Sequence, residues 1–348
     1  MKLYDENGWV DIGAILTEAR KNKIAFIMCW GGRGTGKTYG ALKEVVESRI
    51  PFMLMRRTQT QMDIISKPEF SPFKSINRDL GVDIGIAPLS KYNSGIYNME
   101  EVDGKKAISG EPIGYTCALT TVANIRGFDA SEIKLLIYDE FIPEPHSRPI
   151  KCESDAFLNA YETINRNREL KGEEPLIALC LANSNALDNP LFIGLGLVTK
   201  ADKMNSTGQE YSIDSKRGIM LVNLCKSKIS EQKANTALYK LTSGSEFAKM
   251  ALSNDFLGEG ERGRIGARPL REYKPIVAVG ELCIYMHKYN DLYYCTTHFS
   301  GTPPTYGAGD TERARFRRLY GWIWGKYLDR KVDFEERICE ILLTKYVE

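Results

Sequence analysis

A glycine-rich run near the start of the chain has the residue types and the spacing of a phosphate-binding loop. It matches G-x-x-x-x-G-K-[ST] and consists of Gly31, Gly32, Arg33, Gly34, Thr35, Gly36, Lys37 and Thr38. Glycines let backbone N–H groups curl around phosphate oxygens, Lys37 reaches the β- and γ-phosphates, and the Thr38 hydroxyl ligates Mg²⁺. The run therefore predicts ATP and Mg²⁺ as cofactors. Arg33 is a further candidate contact to the phosphates, and the alternative for it is a pair with a nearby carboxylate.

Two adjacent carboxylates follow an apolar run farther along the chain. Residues 135–138 are Leu-Leu-Ile-Tyr, and Asp139 and Glu140 come next. ATP hydrolysis needs a carboxylate that holds the metal and a group that orients the attacking water. We expect Asp139 to ligate Mg²⁺ together with Thr38, and Glu140 to polarise the water. A glutamate beside the metal-binding aspartate favours the ATPase branch over a nucleoside monophosphate kinase.

Two further polar side chains are candidates for the same reaction. Asn183 follows the apolar run 176–182, where its amide would sense the γ-phosphate; the alternative is a turn residue at a strand end. Arg166 and Arg168 come shortly before that run, and a planar cation there, with Arg166 as the candidate, would offset charge in the transition state. The alternative for this arginine is the solvated end of a helix.

Continuous apolar runs surround these candidates and predict the strands that position them. The runs cover residues 24–30, 51–55, 135–138 and 176–182. They lack polar alternation, which is typical of parallel strands covered on both faces. Helical spacing over 10–21 and 38–50 flanks the first of them. We therefore predict an α/β fold, a P-loop NTPase domain of the ASCE type over residues 1–200, with ligands at the C-terminal ends of parallel strands.

A second, smaller domain is predicted after a polar stretch. Residues 201–214 have no strong periodicity and predict a linker. Beyond it, three short strands with short connections are predicted over residues 276–279, 282–285 and 292–297. A helix is predicted over 311–328. These patterns indicate an antiparallel meander in an α+β domain over residues 215–348.

Two groups of basic residues are candidates for contact with nucleic acid, because grip without sequence specificity is electrostatic. Lys105 and Lys106 follow the Asp103-Gly104 turn of a predicted hairpin. The second group lies on the predicted helix, opposite an apolar stripe that includes Leu319, and contains Arg313, Arg315, Arg317 and Arg318. Double-stranded DNA, a structural RNA and an acidic protein surface all fit the second group. A solvated hairpin tip and a solvated helix face are the alternatives.

The composition excludes several classes of protein. The 348 residues are 43% hydrophobic and 26% charged, with a formal net charge of +2. No apolar stretch approaches the roughly 20 residues that span a bilayer, and the first residues lack a secretory signal, so we expect no membrane partner. The 8 cysteines are scattered without a CxxC pair. Such spacing is typical of a reducing compartment and not of a disulfide framework.

The combination of motifs resembles the DNA encapsidation ATPases of phi29-like phages, which are related to terminase large subunits. The resemblance covers residues 20–200. It depends on four motifs in matching order, at residues 31–38, 53–57, 138–142 and 166–169 with 180–183. Arg126-Gly127-Phe128-Asp129 is also similar to the corresponding stretch of the terminases.

This resemblance implies a homo-oligomeric ring of five subunits, docked at the portal of a procapsid in the host cytoplasm, that pushes double-stranded DNA inward. A structural RNA is a further partner of some members. The resemblance implies Walker A roles for Lys37 and Thr38, a Walker B role for Asp139, catalysis by Glu140, and a finger acting in trans for Arg166. It also implies an RNase H-like second domain, degenerate as a nuclease in the phi29 group.

The positions of carboxylates in the predicted second domain indicate whether it can act as a nuclease. A two-metal nuclease needs several converging carboxylates, the first of them on the leading strand. Residues 276–279 contain none. Glu281, Asp291 and Asp310 remain, but Asp291 fits a hairpin turn and Asp310 fits the cap of the helix predicted from residue 311. We therefore expect no nuclease activity. Three other functions stay open: a helicase or remodelling ATPase, an adaptor that binds ATP without hydrolysing it, and a terminase with an active nuclease.

Overall fold

The chain forms two compact units. The computed structural model describes residues 1–125, 130–143, 147–183, 186–242, 245 and 264–347. The first unit consists of Met1–Leu195 and Lys203–Phe256, and the second of Gly196–Asp202 and Leu257–Glu348. A sheet of nine strands belongs to the first unit and a sheet of five strands to the second.

The first unit alternates strands and helices along the chain. In chain order its elements are α1 (Ile12–Lys21), β1 (Phe26–Gly31), α2 (Lys37–Glu47), β2 (Phe52–Arg56), α3 (Gln59–Ile65), α4 (Phe73–Leu80), β3 (Ile84–Pro88), β4 (Ser94–Val102), β5 (Lys105–Ala118), β6 (Leu135–Asp139), α5 (Glu153–Asn165), β7 (Ile177–Ala182), α6 (Pro190–Gly194), α7 (Val198–Thr207), β8 (Tyr211–Asp214), β9 (Ile219–Leu224), α8 (Lys228–Ala234) and α9 (Ala237–Leu241). The first residues of α7 are counted with the second unit.

The strand order of the first sheet decides which side chains meet. The order is β3-β4-β5-β2-β6-β7-β1-β9-β8, and every pairing from β5 through β9 is parallel. Strands β1, β6 and β7 are buried along almost their whole length, as the continuous apolar runs predict. Because parallel strands end at the same edge, the residues that follow β1, β6 and β7 lie together. The predicted α/β architecture is confirmed, and so is the hairpin of β4 and β5 around Asp103 and Gly104.

The linker predicted at 201–214 is wrong. Those residues form the end of α7 and the edge strand β8, and β9 continues the first sheet by pairing with β1. The polar composition that indicated a linker comes from the exposed side of α7 and from a strand covered on one side only. The apolar run Ile219–Leu224, which is buried throughout, belongs to the first unit and not to a second domain starting at 215.

The second unit is the smaller α+β domain that the sequence predicts. Its elements are β10 (Tyr273–Val279), β11 (Leu282–His287), β12 (Tyr293–Thr296), β13 (Thr305–Tyr306), α10 (Asp310–Tyr320), α11 (Trp322–Leu328), β14 (Val332–Phe334) and α12 (Arg337–Val347). The order is β13-β10-β11-β12-β14, with the antiparallel meander β10-β11-β12 at its centre. Phe316 of α10 and Ile323 of α11 are fully buried against this sheet.

The single helix predicted over 311–328 is broken in two. At Gly321, which separates α10 from α11, a Cβ atom would lie 2.5 Å from the carbonyl oxygen of Arg317. A residue with a side chain would force the backbone to shift there, so glycine suits this junction. Leu319, a member of the predicted apolar stripe, is 52% exposed and does not belong to the core.

Candidate functional site

The glycine-rich run forms a loop that wraps around the amine of its own lysine. The loop connects β1 to α2, and Gly36 begins the helix with a φ of 88°, in the left-handed region. Lys37 Nζ donates to the carbonyl oxygens of Gly31 at 3.0 Å and Gly32 at 2.8 Å, and to Thr35 Oγ1 at 3.1 Å. The lysine is 3% exposed. Burial lowers the pKa of Lys37 to about 8, because removal from water disfavours the charged amine.

The two predicted metal ligands are in direct contact. Thr38 Oγ1, in the first turn of α2, donates to Asp139 Oδ1 at the end of β6, over a distance of 2.8 Å. Asp139 is 2% exposed, so its carboxylate lies inside the fold and points at the loop. A hydroxyl and a carboxylate are hard oxygen donors of the kind that Mg²⁺ prefers. The residues present therefore fit Mg²⁺, as the sequence predicts.

One arginine joins the two adjacent carboxylates, and sequence reasoning missed it. Arg56, the last residue of β2, places Nη2 2.8 Å from Asp139 Oδ2 and Nη1 3.3 Å from Glu140 Oε2. It reaches both because β2 is the parallel neighbour of β6. The sequence carries one signal for it, a cation directly after an apolar strand, but the strand order is needed to see which carboxylates it meets.

Glu140 leaves β6 in an unusual backbone conformation. Its φ is 58°, in the left-handed region that costs a residue with a Cβ about 1 kcal/mol or more. Such strain concentrates at functional sites, where the surrounding structure holds it in place. The side chain is partly exposed at the same edge of the sheet as the loop 31–38, which is where a water-orienting acid is needed.

A buried ion pair lies beneath this arrangement. Arg57 Nε and Nη2 donate to the two oxygens of Glu153, at 2.6 and 2.7 Å. The hydroxyl of Tyr138 adds a third hydrogen bond to Glu153, at 3.2 Å. Because Arg57 follows Arg56 and Tyr138 precedes Asp139, this pair fixes the ends of β2 and β6 against the start of α5.

Residues outside the motif also contact the loop. The backbone N–H of Val10 donates to the carbonyl oxygen of Thr35 at 3.1 Å, and the indole of Trp9 lies 3.0 Å from where a Cβ of Gly36 would be. From the other end of the unit, Lys233 Nζ of α8 donates to the carbonyl oxygen of Arg33. The sequence gives no signal for these contacts, since both segments are remote from the motif along the chain.

Asn183 and Arg166 lie at opposite edges of the sheet. Asn183 follows β7, which pairs in register with β6, so it lies at the edge that carries Asp139. Arg166 caps the other end of α5, where Asn165 Oδ1 accepts from the N–H of Leu176 just before β7 begins. Arg166 is exposed there, at the edge remote from its own phosphate loop. The role of Asn183 as a phosphate sensor stays a prediction, and Arg168 is structural because it donates to backbone carbonyl oxygens near β6.

The basic residues predicted to bind nucleic acid are partly occupied within the protein. In the hairpin, Lys105 is exposed, whereas Lys106 pairs with Asp83 at 2.6 Å. On α10 three arginines have partners inside the second unit, and Arg318 is exposed. Arg313 pairs with Asp310, Arg315 with Glu312 at 2.9 Å, and Arg317 Nε donates to the carbonyl oxygen of Tyr346 at 3.1 Å. Contact of these residues with nucleic acid stays a prediction.

The carboxylates of the second unit are dispersed. Asp291 pairs with Lys326 and Lys331 in one place, and Asp310 with Arg313 in another. Burial raises the pKa of Asp333, which lies alone on β14. Over the ranges that the structure describes, no group of three or more His, Cys, Asp or Glu side chains could hold a metal ion. The absence of nuclease activity stays a prediction.

The stretch Arg126-Gly127-Phe128-Asp129, which is similar to terminases, lies outside the described residues. Among the residues that are described, no helix has both the length and the apolar character needed to cross a membrane.

Comparison with known proteins gives matches to phage packaging proteins. The family model for the podovirus DNA encapsidation protein (Gp16) matches residues 89–302. A DNA packaging protein of Bacillus phage B103 is 26% identical over 238 residues, which is 66% of this chain. The match spans 64% of that relative's own length.

Two solved structures share the fold over almost the whole chain. The structure of the phi28 gp11 DNA packaging motor aligns over 98% of both chains with a TM-score of 0.62 and 18% identity. The structure of the bacteriophage phi29 genome packaging motor assembly aligns over 99% of this chain and 100% of its own, with a TM-score of 0.62 and 16% identity. The fold predicted from the sequence, a P-loop domain followed by a smaller domain, is therefore confirmed.

Proposed function

The chain belongs to the podovirus DNA encapsidation protein (Gp16) family, and on this premise we propose that it is an ATP-driven motor that moves double-stranded DNA into a viral procapsid. The observation that carries the proposal is the convergence at one sheet edge of a phosphate loop, a metal-ligand pair and an acid. Thr38 and Asp139 are 2.8 Å apart, and Glu140 follows directly.

Each residue of this edge has a task that its geometry allows. Lys37 binds the β- and γ-phosphates, because its amine lies at the centre of the loop that surrounds them. Thr38 and Asp139 would hold Mg²⁺, which neutralises charge on phosphate oxygens when bound. Glu140 accepts a hydrogen bond from water and removes its proton.

Arg56 links the metal-binding acid to the water-orienting acid. Its two terminal nitrogens contact Asp139 and Glu140 at the same time, so a movement of either carboxylate changes the contact of the other. The guanidinium therefore acts as a positioning group. We expect Glu140 to orient water only in conformations in which Arg56 leaves one of its oxygens available.

The family premise supports a ring as the working form. We propose a homo-oligomeric ring of five subunits, docked at the portal of the procapsid in the host cytoplasm, with a structural RNA as a further partner. Arg166 fits a role in trans, because it lies at the sheet edge remote from the loop of its own subunit. In a ring, the arginine of one subunit would meet the nucleotide of the next.

ATP hydrolysis by the purified full chain, measured with and without double-stranded DNA, tests the proposal. Glu140→Gln should bind ATP normally and lose turnover by at least about 100-fold, since it removes the general base. The matched control is Glu69→Gln, which changes an exposed glutamate outside the loop and should hydrolyse ATP at the normal rate. Normal turnover by Glu140→Gln would contradict the assignment.

A mixing experiment tests the role of Arg166. Arg166→Ala should bind ATP and lose turnover in homogeneous assemblies. Lys37→Ala subunits, which lack ATP binding but keep Arg166, should restore part of the activity when they are mixed in, because each supplies an arginine to a neighbour. If mixing restores nothing while each variant assembles, the role in trans is wrong.

A further inference from the structure

A cavity of about 510 Å³ opens at the edge of the first sheet opposite the phosphate loop. Its lining includes the residues just before β2 and β6 and the first residue of β7, which places it where the strands begin. Four lining residues are cations, Arg20, Lys23, Arg49 and Lys134, against the single carboxylate of Glu174. All four cations are exposed, and within the described residues none of them forms an ion pair.

Two of the cations are placed by the same backbone motif. Lys23 follows the end of α1 with a φ of 54°, and Arg49 follows the end of α2 with a φ of 49°. The next residue in each case is an isoleucine whose N–H donates back into the helix, Ile24 at 2.9 Å and Ile50 at 3.0 Å. This is the Schellman ending, in which an apolar residue after the left-handed one packs against the structure.

Stability alone does not explain lysine and arginine at these two positions. Glycine is the usual residue there, and the left-handed conformation costs a residue with a Cβ about 1 kcal/mol. A cation at a helix C-terminus recovers a similar amount, about 0.3–1 kcal/mol, from the helix dipole. The two effects offset each other. Four like charges around one concavity repel each other, the single carboxylate of Glu174 offsets part of that repulsion, and an anionic ligand would offset more of it.

The apolar floor of the cavity restricts the chemical class of ligand that fits it. It is apolar, formed by Ile24, Ile50 and Ile177 with two prolines, beneath the cationic rim. A duplex presents a convex backbone that would touch the rim only. An unpaired strand offers phosphates to the rim and an unstacked nucleotide to the floor. The volume lies within the range of ordinary ligand pockets.

We propose that this cavity binds a single-stranded segment of nucleic acid, with backbone phosphates on the four cations and one unstacked nucleotide on the isoleucine floor. The choice of nucleic acid as the polyanion rests on the proposed function. The binding itself is independent of ATP hydrolysis, because the cavity and the phosphate loop lie at opposite edges of the sheet.

The test is fluorescence anisotropy with the purified full chain in the absence of ATP. The probes are labelled twelve-nucleotide single strands of RNA and of DNA, and the corresponding DNA duplex. The double variant Lys23→Gly/Arg49→Gly removes two rim cations without loss of stability, since glycine suits both conformations. We expect at least about tenfold weaker binding of single strands, with the salt slope reduced by about 1.4, and a smaller loss for the duplex, which would contact the rim alone.

Lys74→Gln, which removes an exposed cation of α4 outside the cavity, is the matched control and should bind single strands normally. Lys134→Gln should weaken the binding of single strands. Equal affinity of the wild type and the double variant, or no binding of either strand by the wild type, would overturn the proposal. The tighter of the RNA and DNA strands identifies the source of the ligand. If the double variant loses single-strand binding but hydrolyses ATP normally, this site is separate from the motor. If the wild type binds single strands without hydrolysing ATP, only the proposed function is wrong.

Discussion

The first unit buries the ion pairs beside its phosphate loop, whereas the second unit leaves those of Glu312 and Asp291 exposed. In the first, Asp139 and Glu153 are buried and each is shared by more than one partner. In the second, Glu312 and Asp291 form exposed pairs with neighbouring cations. The first arrangement holds groups in fixed positions, and the second mainly keeps the surface soluble, because water screens exposed pairs.

Strand direction explains the difference. Strands β6, β7 and β1 run parallel, so the polar residues that follow them collect at one edge. Strands β10, β11 and β12 alternate in direction, so their ends lie at two edges and their carboxylates stay apart. Several polar groups therefore converge at one edge of the first sheet, whereas Asp291 and Asp310 of the second unit lie apart.

The largest expected effect is a difference in stability between two variants that each break one ion pair, one in each unit. Glu153→Gln should lower the free energy of unfolding by about 3–5 kcal/mol, because it leaves Arg57 buried without its counter-charge. Glu312→Gln, which removes the partner of Arg315, should lower it by no more than about 0.5 kcal/mol. Denaturant unfolding monitored by circular dichroism measures both. Similar losses of unfolding free energy in the two variants would contradict the proposed difference between buried and exposed pairs.

A smaller effect is expected from the arginine that joins the two acids. Arg56→Ala should reduce the turnover of ATP by about 10–100-fold, as loss of a group that orients a metal ligand does. ATP binding, measured separately, should change much less, since Lys37 and the loop remain. Arg318→Ala on α10 is the control and should leave turnover unaltered. An Arg56→Ala protein with normal turnover would show that Asp139 and Glu140 need no positioning group.

The pKa of Lys37 gives a pH prediction. It is about 8 in the protein without nucleotide, and phosphate favours the charged amine, so binding raises it. ATP binding at pH 8 should therefore take up about half a proton, and the affinity should fall as the pH rises above about 8. Calorimetry in two buffers with different ionisation heats measures the uptake. In Lys37→Arg, whose side chain stays charged, any remaining uptake of that size would contradict the assignment.

The smallest effect concerns the exposed network of the second unit. Hydrogen bonds from Lys326 and Lys331 lower the pKa of Asp291 to about 2. The stabilisation that follows is complete above the pKa of the unfolded chain, about 3.9, and is lost as the pH falls toward 2. Thermal unfolding between pH 5 and pH 2.5 should therefore show a smaller acid-induced decrease in Asp291→Asn than in the wild type. An identical decrease in both proteins would show that the contacts of Asp291 with the two lysines contribute nothing to stability.

Much of the site was predictable because its signals are local. The loop 31–38 and the pair Asp139-Glu140 each follow an uninterrupted apolar strand, and parallel strands bring such positions together. Arg56 and Arg57 were not assigned roles, because their partners depend on the order of strands. Trp9 and Lys233 reach the loop from remote segments, and no spacing rule relates them to it.

The errors in the fold have the same origin. Strand β8 is short and half exposed, so residues 201–214 have the composition of a linker. The assignment of β9 depends on its pairing with β1, which only tertiary structure defines. The break at Gly321 depends on the approach of a single backbone oxygen and leaves no trace in the apolar periodicity.

The pairing of β9 with β1 has a practical consequence for dissecting the protein. A fragment that stops near residue 200 would lack β9 and would leave one side of β1, next to the phosphate loop, without hydrogen-bond partners. Unpaired strand edges of this kind recruit other chains, so such a fragment should aggregate. Expression trials of the nucleotide-binding half should therefore keep β9 and α8 in the same polypeptide.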